Sequence, residues 1–323
     1  MPASKTFVDL VQRAWSNGDA VLPIDQRLPL AGKKMLLDAM APSEIIDSSS
    51  ISTSLPNGRP LQEGDALVIA SSGSTGSPKG IIHTHSSLLA GAQSSASRLQ
   101  LTSDDHWLVC IPVSHVGGFS VLVRALHTGA KLTLHPTFDA TEVQAASKNG
   151  ITHTSLVATA LSRIDTSLFK TILLGGSSAP ANLPTNVITT YGMTETGGGV
   201  VYNGQPLNNV QVRITEEEIF LRCPMLMRAY CDGQTISMED GWYATGDIGE
   251  ILDDGKLIVH GRRSDMIITG GENVWPSVIE KSLSSHAAVN QVVVRGTQDA
   301  TWGQRVVAYV VLNDSTHISN EKL

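Results

Sequence analysis

Apolar positions recur at helical spacing over residues 6–16, where Phe7, Leu10, Val11, Ala14 and Trp15 share one face. This predicts an N-terminal amphipathic helix, and residues 34–40 suit a second, short one. The stretch 43–60 is rich in Ser, Pro and Gly and reads as loop. Next comes a continuous apolar run, Ala66-Leu67-Val68-Ile69-Ala70, of the kind that forms a buried strand. A Ser/Gly-rich loop follows, and then a helical stretch from about His85 to Ser97. The alternation continues with strands at 107–113, 131–135, 152–158 and 170–176, and helices at 121–129 and 141–150. Strands interleaved with helices argue for an α/β sheet. After about residue 208 the texture changes to β-hairpins at 211–222 and 249–261, the second turning at Asp254-Gly255. A smaller unit then carries a helix at about 276–285 and strands at 289–296 and 305–312. The expected fold class is α/β. A large N-terminal lobe (1–261) would combine layered α/β sheets with a β-rich subdomain, and a small α+β lobe (262–323) would follow.

Composition narrows the partners more than the fold. The 323 residues are 41% hydrophobic and 16% charged, enough apolar material for a sizeable core. A net charge of −7 argues against nucleic acid or an anionic membrane as partner. Cys110, Cys223 and Cys231 are too widely spaced for a zinc or redox motif and read as reduced thiols. The N-terminus lacks the apolar core of a signal peptide, and no run reaches the ~18 residues of a membrane span. These features point to a cytoplasmic protein. Oligomeric state stays open, a homodimer being one option.

The loop Ser71-Ser72-Gly73-Ser74-Thr75-Gly76-Ser77-Pro78-Lys79-Gly80 has the chemistry of a polyphosphate cradle. Its glycines allow backbone N–H groups close to oxygens, its hydroxyls add donors, and Lys79 adds a charge. It is not a Walker A loop, because the GK[ST] ending is absent. A flexible Ser/Gly linker is the competing reading. The expected placement, after a buried strand and before a helix, brings the two level. Four further segments stand out: Gly175-Gly176-Ser177 at a strand end, Tyr191-Gly192-Met193-Thr194-Glu195-Thr196, Tyr243-Ala244-Thr245-Gly246-Asp247, and Gly261-Arg262-Arg263-Ser264-Asp265 running into Gly270-Gly271. Taken singly, each reads more readily as an ordinary turn. An aromatic face suits a purine, a carboxylate suits Mg²⁺ or a diol, and arginine suits phosphate.

In this order the segments resemble the signatures of the adenylate-forming superfamily of acyl-CoA synthetases, luciferases and peptide-synthetase adenylation domains. The resemblance covers roughly residues 60–312. It implies that Ser71, Ser72, Gly73, Ser74, Thr75, Gly76 and Lys79 hold ATP phosphates and that Gly175, Gly176 and Ser177 line the adenine pocket. It further implies that Tyr191 and Gly192 sit against adenine, that Thr194 contacts the α-phosphate, and that Glu195 holds Mg²⁺. Asp247 would accept from the ribose hydroxyls, and Arg262 would reach ribose or phosphate. The hinge would lie at 262–265, and the Gly270-Gly271 loop would help form a tunnel for a thiol acceptor, coenzyme A.

His115-Val116-Gly117-Gly118-Phe119-Ser120, running on to Arg124, resembles the HxxGxSxxxR segment of the o-succinylbenzoate–CoA ligases of menaquinone synthesis. That resemblance places His115 and Gly118 at the acid pocket, with His115 joining Thr194 and Glu195 as catalytic candidates. An acid with two carboxylates has one to activate and one that needs a cation if buried. Arg124 is the candidate cation, unless it is an exposed helix residue. The implied activity is ATP-dependent conversion of a carboxylic acid to acyl-AMP, then transfer to coenzyme A. Other aryl or acyl acids, carrier-protein loading, or nucleotide binding without turnover are the alternatives. The region before the phosphate loop is short for this superfamily, and no segment after Gly271 matches its C-terminal Gly-Lys motif. The C-terminal lobe is therefore expected to be incomplete.

Overall fold

The computed structural model describes residues 1–72, 78–180, 182–234, 236 and 238–313. The chain forms two compact units. The first comprises Met1–Ser177, Pro184–Gln211 and Arg222–Ser237, and the second Ser178–Leu183, Val212–Leu221 and Met238–Leu323.

A seven-stranded sheet is the backbone of the first unit. Its spatial order is Lys131–Leu134, His106–Val109, His153–Leu156, Thr171–Leu174, Val187–Met193, Gly198–Tyr202 and Gln205–Pro206. The first five strands are parallel. The last two turn back antiparallel. Trp107, Leu108 and Ile172 are fully buried, as expected for the apolar runs of a parallel sheet covered by helices. The helices His85–Leu99 and Val116–Thr128 pack against each other, and the second also packs on the sheet. The first begins in a capping box. Thr84 Oγ1 accepts from the Ser87 amide, and Ser87 Oγ accepts from the Thr84 amide, each at 3.1 Å.

One expected placement is corrected. The Ser/Gly loop does not lead into a helix. It joins two antiparallel strands, Asp65–Ser72 and Pro78–Thr84, with Val68 opposite Ile82 and Ser72 opposite Pro78. Ile81 and Ile82 are β-branched and buried, which favours the extended chain. The helix starts one strand later, at His85. Ala229–Tyr230 adds a third strand to this hairpin.

The hairpin is held at several points. Leu36, Met40, Val68, Ile82 and Cys231 form a buried cluster on it. The N-terminal helix Lys5–Ser16 is tied to it by Trp15 Nε1, which donates to the Ala66 carbonyl at 2.8 Å. Asp65, almost wholly buried, receives both Arg228 Nε at 2.6 Å and Nη2 at 2.7 Å. This two-pronged pairing lets a carboxylate sit in the interior without leaving its charge uncompensated.

The second unit contains a sheet of Gln211–Thr215, Glu218–Arg222, Met238–Glu239, Trp242–Ile251 and Leu257–Arg262, and a four-stranded sheet of Ile267–Thr269, Glu272–Val274, Val289–Asp299 and Gly303–Leu312. The helix Pro276–Ser284 packs on the strand Val289–Asp299. Its first residue is proline, which suits an N-terminal position lacking an amide partner. No helix among the described residues is long and apolar enough to cross a membrane. The three cysteines are free, and burial pushes the Cys110 and Cys223 thiols up to about 11.

Two histidines are buried neutral. Burial pushes His83 down to about 4, and the same cause lowers His153. A group that is protonated more readily in the unfolded chain costs stability as it charges. Stability is therefore complete above about pH 6.5 and is lost as pH falls from there towards 4, by about 3 kcal/mol for His83 alone. Denaturant midpoints measured between pH 7 and pH 4.5 should fall steadily, and His83→Gln should flatten that slope.

Candidate functional site

Within the first unit, candidate residues gather at the carboxyl ends of the parallel strands, where open α/β sheets place their ligands. Gly175, Gly176 and Ser177 follow the strand Thr171–Leu174, and Tyr191 and Gly192 close the strand Val187–Met193. A side chain at Gly192 would place its Cβ 2.0 Å from the Gly198 carbonyl oxygen. Glycine is thus what lets the antiparallel neighbour approach, and it leaves the exposed face open beside Tyr191.

The turn Thr194–Thr196 comes next, closed by Thr196 Oγ1, which accepts from the Met193 amide at 2.9 Å. Glu195 is half-buried, and Tyr230 donates its hydroxyl to Glu195 Oε1 at 3.5 Å. Lys79 sits over the Tyr230 ring, 5.5 Å from its centre, and donates to Gln234 Oε1 at 2.9 Å. Lys79 and Glu195 therefore flank one tyrosine, a cation and an anion near the end of the hairpin where Ser72 meets Pro78. Gly73, Ser74, Thr75 and Gly76 lie outside the described residues. Ser71 and Ser72 end the strand that leads into them.

Among the described residues, no three His, Cys, Asp or Glu side chains cluster as a metal cage. Mg²⁺ is commonly held by one or two carboxylates together with phosphate oxygens and water. Glu195 offers such a carboxylate.

Arg124 settles the choice left open by its sequence. Its residue is only 4% exposed. Nε donates to Ser95 Oγ at 2.8 Å, and Ser95 Oγ lies 2.8 Å from the Tyr202 hydroxyl. The guanidinium carbon is 4.8 Å from the centre of the Trp107 ring. Nη1 is buried and has no hydrogen-bond partner among the described residues. Arg124 lines a narrow cavity of about 20 Å³ with Leu88, Ser95, Val123 and the turn Gly197–Gly199. Arg124 is thus a buried cation with an unused donor, beside the turn that follows Glu195.

His115 is exposed at the start of the helix Val116–Thr128 and makes no side-chain capping bond. Gly118 is buried, and a Cβ there would lie 2.4 Å from the Pro112 carbonyl oxygen. The glycine allows the helix to pass close to the preceding turn.

In the second unit, Asp247 is buried and Arg262 Nε lies 2.9 Å from its Oδ1. Arg262 Nη1 donates to the Thr245 carbonyl at 2.9 Å. The Thr245 hydroxyl donates to the Ile219 carbonyl at 2.7 Å and accepts from the Asp247 amide at 3.0 Å. Asp247 is therefore held in place by its own strand and by the partner strand carrying Arg262.

Sequence reasoning did not single out His83, Trp107, Ser95 or Tyr202. Each supports a predicted residue from a different element, so no local motif carries the signal.

Taken together, a largely parallel α/β sheet with glycine segments at its strand ends and a carboxylate on the adjoining turn has the layout of the open α/β folds that bind ligands at their strand ends. Residues 9–230 match the family model described as AMP-binding enzyme, and residues 278–323 the one described as AMP-binding enzyme C-terminal domain. The chain belongs to the AMP-binding enzyme family.

Within it, the chain is similar to the 2-succinylbenzoate–CoA ligase of Bacillus licheniformis, with 36% identity over 285 residues, covering 76% of this chain and 60% of the relative. It is 37% identical over 303 residues to the ligase of that name from Bacillus cytotoxicus, covering 79% and 63%. A solved o-succinylbenzoate CoA synthetase from Bacillus subtilis, in complex with the acyl-adenylate intermediate OSB-AMP, matches with a TM-score of 0.76 at 27% identity. That match covers 97% of this chain and 72% of the solved one. The chain thus spans about 60% of the length of these curated relatives.

The two neighbouring glycines at the helix start should respond differently to alanine. Gly118→Ala meets backbone and should cost at least ~2 kcal/mol of stability. Gly117→Ala meets only the Ile111 side chain at 3.2 Å and gains helix propensity, so it should be close to neutral. Chemical denaturation of the two variants measures the difference.

Proposed function

We propose that the chain is an AMP-forming acid–thiol ligase acting on an aromatic dicarboxylic acid, 2-succinylbenzoate, in menaquinone synthesis. The carrying observation is Arg124, a buried guanidinium with an unused donor, on a residue that lines the narrow cavity. The naming of the relatives supports the same acid. A monocarboxylic substrate has no group that would repay burying this charge, whereas a second carboxylate does.

In the first step, a carboxylate oxygen of the acid forms a bond to the α-phosphorus of ATP. The bond from that phosphorus to the bridging oxygen breaks, and pyrophosphate leaves. In the second step, the thiol of coenzyme A attacks the acyl carbon, loses its proton, and expels AMP. This chain's residues act by positioning and by charge. The 71–80 segment with Lys79 would hold the β- and γ-phosphates, and Thr194 the α-phosphate. Gly175, Gly176, Ser177, Tyr191 and Gly192 would receive adenine. Asp247 and Arg262 would bind ribose. Arg124 would hold the carboxylate that does not react, with Gly118 and His115 bordering the acid. Mg²⁺, when bound at Glu195, would neutralise charge on the phosphates. ATP and coenzyme A as co-substrates accord with a cytoplasmic setting.

The cavity holds about one water in its present shape, so acid binding requires the side chains around Arg124 to part. Calorimetry with 2-succinylbenzoate and with a matched monocarboxylate tests the assignment. The intact chain should prefer the diacid, and Arg124→Ala should weaken diacid binding roughly 10- to 100-fold while leaving ATP affinity nearly unchanged. Equal losses for diacid, monocarboxylate and ATP would remove Arg124 from this role.

A further inference from the structure

His83 falls in the run Ile81-Ile82-His83-Thr84-His85 that follows the Ser/Gly loop, and it sits between that hairpin and the Thr194–Thr196 turn. Its side chain is completely buried on the strand Pro78–Thr84, which leaves the phosphate loop. Nε2 is 2.7 Å from the carbonyl oxygen of Thr194. A carbonyl only accepts, so the imidazole carries its proton on Nε2. Nδ1 faces Ser87 Oγ at 3.4 Å. The turn curls around the ring, since a Cβ at Gly197 would lie 3.3 Å from His83 Cε1.

A second tie completes the arrangement. The Met227 amide donates to the Glu195 carbonyl at 2.7 Å, and the Arg228 amide donates to the Ile82 carbonyl at 2.8 Å. Ala229 and Tyr230 then pair with Ile82 and Ile81. The carbonyls of Thr194 and Glu195 are therefore both fastened to the hairpin, the first through His83 and the second through residues 227–230. These two carbonyls belong to the peptide planes on either side of the Glu195 Cα. Holding both planes holds the φ and ψ of Glu195, and with them the direction in which its carboxylate leaves the backbone.

We propose that His83 is a positioning residue that orients Glu195 for Mg²⁺ by locking the Thr194–Thr196 turn to the phosphate-loop hairpin. Imidazole suits the task because it spans the gap with a neutral donor. A buried lysine or arginine would bring a charge needing its own partner. The assignment rests on the reading of Glu195 as the Mg²⁺ ligand.

The test is ATP binding to the full chain, measured calorimetrically across a Mg²⁺ series, with unfolding midpoints recorded separately. His83→Gln keeps a donor at the reach of Nε2, whereas His83→Asn keeps a polar amide but falls short. His83→Asn should raise the Mg²⁺ concentration for half-maximal enhancement of ATP binding roughly tenfold, and His83→Gln should stay within about threefold of the parent. In a Glu195→Gln background the His83→Asn effect should vanish. His83→Phe, which keeps the ring volume without the donor, carries the same comparison if the asparagine variant does not fold. A Mg²⁺ requirement unchanged in the folded Asn or Phe variant would overturn the proposal. An effect of equal size with and without Glu195 would do the same. If Glu195→Gln alone leaves the Mg²⁺ dependence of the parent unaltered, the underlying reading of Glu195 fails first.

Discussion

A guanidinium removed from water is the constraint around which the first unit is arranged. Burying Arg124 costs several kcal/mol before any compensation. Three elements share that compensation. The strand His106–Val109 supplies the face of Trp107, the helix His85–Leu99 supplies Ser95, and the strand Gly198–Tyr202 supplies the Tyr202 hydroxyl behind it. His153, 4.9 Å from the Trp107 ring, is kept neutral by burial, so it adds no second charge beside the first. The remaining donor, Nη1, has no partner among the described residues. A cation so placed suits an anionic group.

The second organising feature is the hairpin from Asp65 to Thr84. It carries Lys79 at its open end and His83 at its base, and it is pinned by Arg228 on Asp65. Through His83 it reaches the turn bearing Thr194 and Glu195. The candidate phosphate segment of this chain is thus carried by a β-hairpin packed against a turn, and not by a loop opening directly onto a helix.

Much of this was legible in the chain itself. The parallel strands announce themselves as short apolar runs, because a sheet buried on both faces leaves no alternation to misread. The helix from His85 is marked by Thr84 and Ser87, whose side chains have a local job. The strand Pro78–Thr84 was missed because Pro78-Lys79-Gly80 reads as loop and only Ile81-Ile82 hints at extension. The strand Val187–Met193 was hidden likewise, since Thr189, Thr190 and Gly192 break its apolar character. Candidate residues within contiguous motifs, such as Glu195 and Asp247, are named by the order of the motifs alone. Arg124 could be named but not placed, because whether a helical arginine is buried depends on what three other elements bring to it. Trp107 meets Arg124 across the fold, and nothing in its sequence neighbourhood separates it from a core residue; His83 lies in the run after the Ser/Gly loop, but its partner carbonyl at Thr194 is distant in the chain.

The most direct measurement is ATP–pyrophosphate exchange by the chain in the presence of Mg²⁺ and a panel of acids. Exchange that depends on 2-succinylbenzoate, with little from monocarboxylic acids of similar size, is the predicted result, because exchange requires reversible acyl-AMP formation. Exchange driven best by a monocarboxylic acid, or ATP binding with no exchange for any acid, would contradict the account.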